Sequence, residues 1–146
     1  MANELKPGKK NYDGKTYGKD FYLIERSQSF AAEIFNASAV APKEYRFTIC
    51  KIVQTYACEI IYSIRIANSY KLGSKEREDA HQESLSLIDK LNDLLPVIRK
   101  CRCISIRQEA DLCKKLGNLR IGYIKWIESD RARLKQSNKD NNNNSV

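Results

Sequence analysis

Between residue 20 and about residue 134, apolar residues recur every three or four positions with polar residues between them, the spacing of helices that bury one face. Four helices are predicted. The first follows Asp20 as N-cap, with Phe21, Ile24, Gln28, Ala31, Ile34 and Phe35 along its inner stripe, and ends in the small-residue run NASAVAP. The second opens at Pro42, which suits a first helical turn, and runs without a break to Gly73, a C-terminal stop. Ser74 caps the third, whose core positions are Leu85, Ile88, Leu91, Leu94, Leu95 and Ile98; Pro96 is expected to kink it or mark its last turns. Ser105 and Gln108 form a capping box for the fourth, which is expected to reach about Arg133 with Leu112, Leu116, Leu119, Tyr123, Trp126 and Ile127 inward. Short connections between four amphipathic helices imply an all-α, up-down-up-down four-helix bundle over residues 20–134.

The ends lack this pattern. Residues 1–19 hold Pro7, three glycines and five lysines with few apolar side chains, and are expected to form a disordered basic arm. Residues 135–146, ending in an asparagine run, are expected to be a disordered tail. At 146 residues the chain suits one domain with one core.

Charge changes the picture more than length does. Lys and Arg number 26 against 18 acids, a net charge of +8, which favours an acidic partner such as nucleic acid. The excess is concentrated: residues 99–125 carry eight cations against Glu109 and Asp111, a net six of the chain's eight. On a helical projection Arg107, Lys114, Asn118 and Lys125 lie opposite the core side of the fourth helix. Cations at a helix C-terminus also suit its dipole, which accounts for Arg99 and Lys100 without a ligand but does not reach Lys114 or Lys125. Arg99, Lys100, Arg102, Arg107, Lys114 and Lys125 are therefore the candidate nucleic-acid-binding residues.

The second helix is apolar nearly all round, with Phe47, Ile61 and Leu72 to one flank and Ile52, Tyr56 and Tyr70 to the other, which points to burial against another copy of the chain. Arg46 and Asn68 fall within the inward arc of that helix and Arg120 within that of the fourth; such groups need partners, either at helix ends or in carboxylates such as Glu59. Arg46, Phe47, Ile61, Asn68, Leu72 and Arg120 are the candidate oligomer-interface residues.

Catalytic chemistry finds little to draw on. His81 is the one histidine and, in the acidic opening of the third helix, is expected to face solvent, so a histidine-based metal site or a Ser-His-Asp arrangement is not supported. Cys101 and Cys103 in RKCRCISIR are one residue apart, too close for the usual zinc or dithiol spacing; the neighbouring cations would lower their thiol pKa, and the stretch reads best as a basic corner. Cys50, Cys58 and Cys113 read as small hydrophobes. No metal, cofactor or enzymatic activity is expected. Five cysteines, an odd number, and a polar start without a signal-like apolar stretch favour the reducing cytoplasm, and no apolar run approaches the ~20 residues of a membrane span.

PKEYRF at 42–47, Ala57, Glu59 with Ile60, Ala67 with Asn68, LIDKLNDLL at 87–95, Ile104 with Ser105, and Leu116, Gly122 and Trp126 together resemble the accessory variability determinants of diversity-generating retroelements. That resemblance implies a pentameric ring of four-helix bundles that binds a reverse transcriptase and its structured template RNA without active-site chemistry of its own, using exterior basic residues. Arg99, Arg102, Arg107, Lys114 and Lys125 match these in surface character. The family usually doubles the glycine before its tryptophan, whereas this chain reads IGYIKW. A related bundle family, encoded within intervening sequences of bacterial ribosomal RNA genes, carries a small-residue and asparagine motif of which only Ala67 and Asn68 are found here. A scaffold or toxin-antitoxin-like partner that binds no nucleic acid is the alternative reading.

Overall fold

The computed structural model describes residues 19–144, with side chains from Tyr22 onward. Its helices are α1 (Lys19–Ser38), α2 (Lys43–Arg46), α3 (Ile49–Ser69), α4 (Lys75–Lys100) and α5 (Ile106–Asn144), with no strand among the described residues. The four long helices form a closed ring of neighbours, α1 on α3, α3 on α4, α4 on α5 and α5 on α1. This is the expected all-α bundle. The arm assigned to residues 1–19 lies, up to residue 18, outside the described residues.

Each long helix buries a stripe with alternating steps of three and four. In α3 it is Cys50, Val53, Ala57, Ile60, Ile64 and Ala67. In α4 it is Arg77, Ala80, His81, Ser84, Ile88, Leu91, Leu95 and Ile98, and in α5 Leu112, Leu116, Leu119, Tyr123, Trp126, Ile127 and Asp130. Such spacing lets side chains of one helix enter gaps in the next at shallow crossing angles. Burial of the Val, Leu and Ile side chains among them, each contributing ~1.5–3 kcal/mol, is the main stabilising term.

Several expectations need correction. The first helix begins at Lys19, so Asp20 lies inside its first turn instead of capping it. Gln28 and Phe35 of its expected stripe are exposed; Leu23, Ser27, Phe30, Ala37 and Ser38 face inward instead. The second helix is not continuous. Thr48 leaves the helical region (φ −115, ψ −102) and separates α2 from α3. At 100° per residue, Tyr45 and Cys50 would stand about 140° apart on one straight helix. The break lets both pack against the core, Cys50 at 1% exposure. Thr48 Oγ1 donates to the carbonyl of Glu44 across the break.

Pro96 lies in the last turns of α4, as expected, and the helix continues to Lys100. The carbonyl that proline deprives of a donor is that of Asn92, which lies on an exposed turn where water can serve it. The tail differs: α5 runs on through an exposed asparagine-rich segment to Asn144, eleven residues past the expected stop, with Gln136 donating to Asp140 one turn on. Adding a residue to an existing helix costs far less than nucleating one.

Gly73, in the loop between α3 and α4, has φ +84, and a Cβ there would meet Leu134 Cδ1 at 2.9 Å. Gly73→Ala combines left-handed backbone strain with this clash, and is expected to lower stability by ~2 kcal/mol in urea unfolding.

Candidate functional site

The cations of the 99–125 segment divide into two groups. Arg99 Nε donates to Glu109 at 2.9 Å, Arg120 Nε to Asp89 at 2.9 Å, and Lys115 is shared between Glu33 and Asp111, which holds its pKa above the usual lysine value chiefly through the Glu33 hydrogen bond. Lys100, Arg102, Arg107, Lys114 and Lys125 are exposed, and among the described residues none of them forms an ion pair. Arg107, Lys114 and Lys125 stand 7 and 18 residues along one helix, within ~20° of a single line and ~27 Å from end to end. That is about eight base steps of a nucleic-acid strand.

Lys100 and Arg102 stand at the α4–α5 corner that precedes this line. Helix α4 closes in a Schellman turn: Cys103 N donates to Ile98 O at 2.8 Å and Arg102 N to Arg99 O at 2.9 Å. The donor of the bond that spans fewer residues adopts the left-handed conformation that glycine ordinarily supplies, and here it is Arg102, at φ 63. Ser105 and Gln108 then open α5 with the expected reciprocal capping box, at 3.0 and 2.8 Å.

The six candidate interface residues are scattered along the bundle. Arg46 and Phe47 sit at the start of the α2–α3 segment, where Arg46 Nε donates to Ala41 O at 2.8 Å and Phe47 is 81% exposed. Asn68 and Leu72 lie at its far end, where the Asn68 carbonyl accepts from Arg77. Ile61 is half-buried against the core, and Arg120 turns to Asp89 instead of Glu59. The apolar residues that α3 leaves exposed are Ile52, Tyr62 and Ile66, with Tyr62 at 72%.

The largest departure from expectation is His81, which is buried at 4% exposure. It belongs to a polar cluster joining α4 to α5. Arg77 donates to both carboxylate oxygens of Asp130, at 2.7 and 3.0 Å, and to Tyr70 O at 3.0 Å. His81 Nε2 lies 2.8 Å from Asp130 and Nδ1 2.8 Å from the Tyr123 hydroxyl; a carboxylate only accepts, so Nε2 carries the hydrogen. Trp126 packs edge-on against both the His81 and Tyr123 rings, with Arg77 over its face. Burial by itself would raise the Asp130 pKa, but hydrogen bonds from His81 and Arg77, the Arg77 charge and a bond from Arg133 outweigh it and hold the carboxyl well below its usual range. Burial pushes the Tyr123 hydroxyl up, so it stays protonated.

Carboxylate, imidazole and hydroxyl thus stand in the order of an acyl-transfer triad, yet Tyr123 has no exposure and no substrate carbonyl can reach it. The cluster is structural in position. Its signal was available in the sequence: stepping back by sevens from Ile98 and Leu95 gives Leu91, Ser84 and Arg77, then Ile88 and His81.

Cys103 also turns inward, and burial, with the nearby Cys50 thiol, pushes its pKa up to about 12, the reverse of the lowering expected from neighbouring cations. Burial, then Glu109, also raises Cys113. No group of three potential metal ligands occurs among the described residues, and none of the described helices is long and apolar enough to cross a membrane.

Neither a protein-family model nor a curated protein matches the sequence. A solved structure from Bacteroides thetaiotaomicron VPI-5482, described as a protein of unknown function from the S23 ribosomal protein family, is similar in fold. Its TM-score is 0.65 at 19% identity, covering 75% of this chain and 98% of that one. At that identity the likeness defines a class of helical bundle and nothing finer.

Asp130→Asn tests the cluster. Removing one partner of a buried pair is expected to cost ~3–5 kcal/mol at pH 7. The folded carboxyl pKa lies below the unfolded value near ~3.9, so the wild-type contribution is complete above about pH 5 and fades as pH falls further. Urea unfolding between pH 3 and 7 should show a shallower acid limb in the variant.

Proposed function

We propose that this chain is a non-enzymatic RNA-binding bundle. The observation that carries this reading is the line of Arg107, Lys114 and Lys125, exposed and without carboxylate partners, with the exposed Lys100 and Arg102 at the preceding α4–α5 corner. Within the same segment Arg99, Lys115 and Arg120 meet carboxylates, so the three cations of the line are those whose charge the fold leaves unused there. Phosphates would release condensed counterions along such a line.

The finer reading rests on the resemblance to accessory variability determinants: the chain would hold the structured template RNA of a diversity-generating retroelement together with its reverse transcriptase, as a pentamer, in support of mutagenic copying. Self-association finds support in Ile52, Tyr62 and Ile66, which spread apolar surface along the outer side of α3. That same surface favours the second reading, a protein-protein scaffold without nucleic-acid contact.

Reversing charge at Arg107, Lys114 and Lys125 together is expected to weaken binding to an RNA hairpin by at least ~tenfold at 0.1 M salt, and to flatten the slope of log K against log salt by ~2. Lys51→Glu, Arg65→Glu and Lys90→Glu together, at exposed positions of α3 and α4, are the charge-matched control. Equal affinity for both variants would reduce the line to solvated surface and favour the scaffold. For assembly, Tyr62→Glu with Ile66→Glu should convert the oligomer to monomer in light scattering, whereas an unchanged mass would remove α3 from the interface.

A further inference from the structure

Beside the Schellman turn lies an open hollow of about 560 Å³, within the ~300–1,000 Å³ range of small-ligand clefts. Ile104, only 5% exposed, forms part of its lining. Val40, from the loop after α1, and Ile106, the first residue of α5, also line it and are 82% and 74% exposed. Lys100 and Arg102 add positive charge without ion-pair partners, while Arg99 beside them is engaged by Glu109. The occupant such a lining fits has an apolar body and an anionic edge.

Arg102 supplies an independent reason to place a ligand here. At φ 63 it occupies the one position of the turn where a side chain is sterically penalised and glycine is not. Its side chain adds no ion pair to the fold, and backbone strain of this kind gathers at binding sites. Gln108 adds a donor: its Oε1 accepts the capping bond from Ser105 N, leaving its amide hydrogens for a ligand.

We propose that this hollow receives one unpaired nucleotide, its base against Val40 and Ile106 and its phosphate at Arg102 and Lys100. The inference rests on the RNA-binding reading and deepens it. A base inside a duplex has both faces covered by its neighbours, so the ligand is a bulged or looped nucleotide. The α5 line follows the adjoining backbone and the corner selects the structural irregularity.

Fluorescence anisotropy at one fixed salt concentration tests this with three labelled hairpins: fully paired, with a single-nucleotide bulge, and with that bulge abasic. The wild-type chain is expected to bind the bulged hairpin ~tenfold more tightly than the other two. Val40→Ser, which changes no charge, should lose that preference while retaining the affinity for the paired hairpin, and Arg102→Gly should lose it together with a small loss of affinity for the paired hairpin through the missing cation. Arg102→Gly should also keep or raise the thermal unfolding midpoint, because glycine accepts the turn's backbone. Equal binding of all three hairpins by the wild type, or full discrimination by Arg102→Gly, overturns the nucleotide site while leaving the α5 line standing. No binding to any hairpin overturns both.

Discussion

The bidentate bond between Arg77 and Asp130, shielded from water, is the interaction on which one end of the bundle depends. It ties the first turn of α4 to α5 and, through the carbonyls of Asn68 and Tyr70, holds the end of α3 in the same cluster. A charge at this depth is tolerable only if every lone pair and hydrogen finds a partner, so His81, Tyr123 and Arg133 belong to the same arrangement. Apolar stripes alone would let α5 slide or rotate against α4; a directional bond at Asp130 fixes its register and thereby the direction its outer face looks. Whether that specificity outweighs the desolvation of two charges is a matter of partner satisfaction, which is close to complete here.

The cluster holds its histidine, carboxylate and tyrosine side chains at low exposure, with His81 and Asp130 reaching the wall of a small hollow near Gly73 and Leu134. Charge and exposed apolar surface remain outside, at the opposite end and along the outer faces. Helix α5 carries both features, Asp130 inward and the line from Arg107 to Lys125 outward, so the bond that anchors the helix also preorganises the cations. Preorganised cations lose less entropy when phosphates arrive than cations on a mobile arm would. The corner at Arg102 adds strain where the rest of the helix end is relaxed, which fits a place kept for contact instead of for folding.

Much of the fold was legible because burial imposes its own period. The inward stripe of α5 from Leu112 to Ile127 was read correctly, as was the capping box at Ser105. Arg77 and His81 obey the same period but were passed over, since polar residues at stripe positions look like interruptions until a distant partner is known. Asp130 supplies that partner from 53 residues away. The break at Thr48 had no local marker; it arises because Ala41, Tyr45 and Cys50 must all turn inward, a demand set by neighbouring helices. Cys103 was misjudged for a related reason: sequence places it among cations, whereas the Schellman turn points it into the core. Among the cations of residues 99–125, sequence could not separate Arg99, Lys115 and Arg120, which meet carboxylates, from those that do not.

Ultraviolet cross-linking of the intact chain to a structured RNA at low salt, followed by peptide mapping, tests the central claim most directly. The account predicts cross-links confined to the α4–α5 corner and the outer face of α5, lost as salt rises. Cross-links confined to α3, or none at all at low ionic strength, would contradict it.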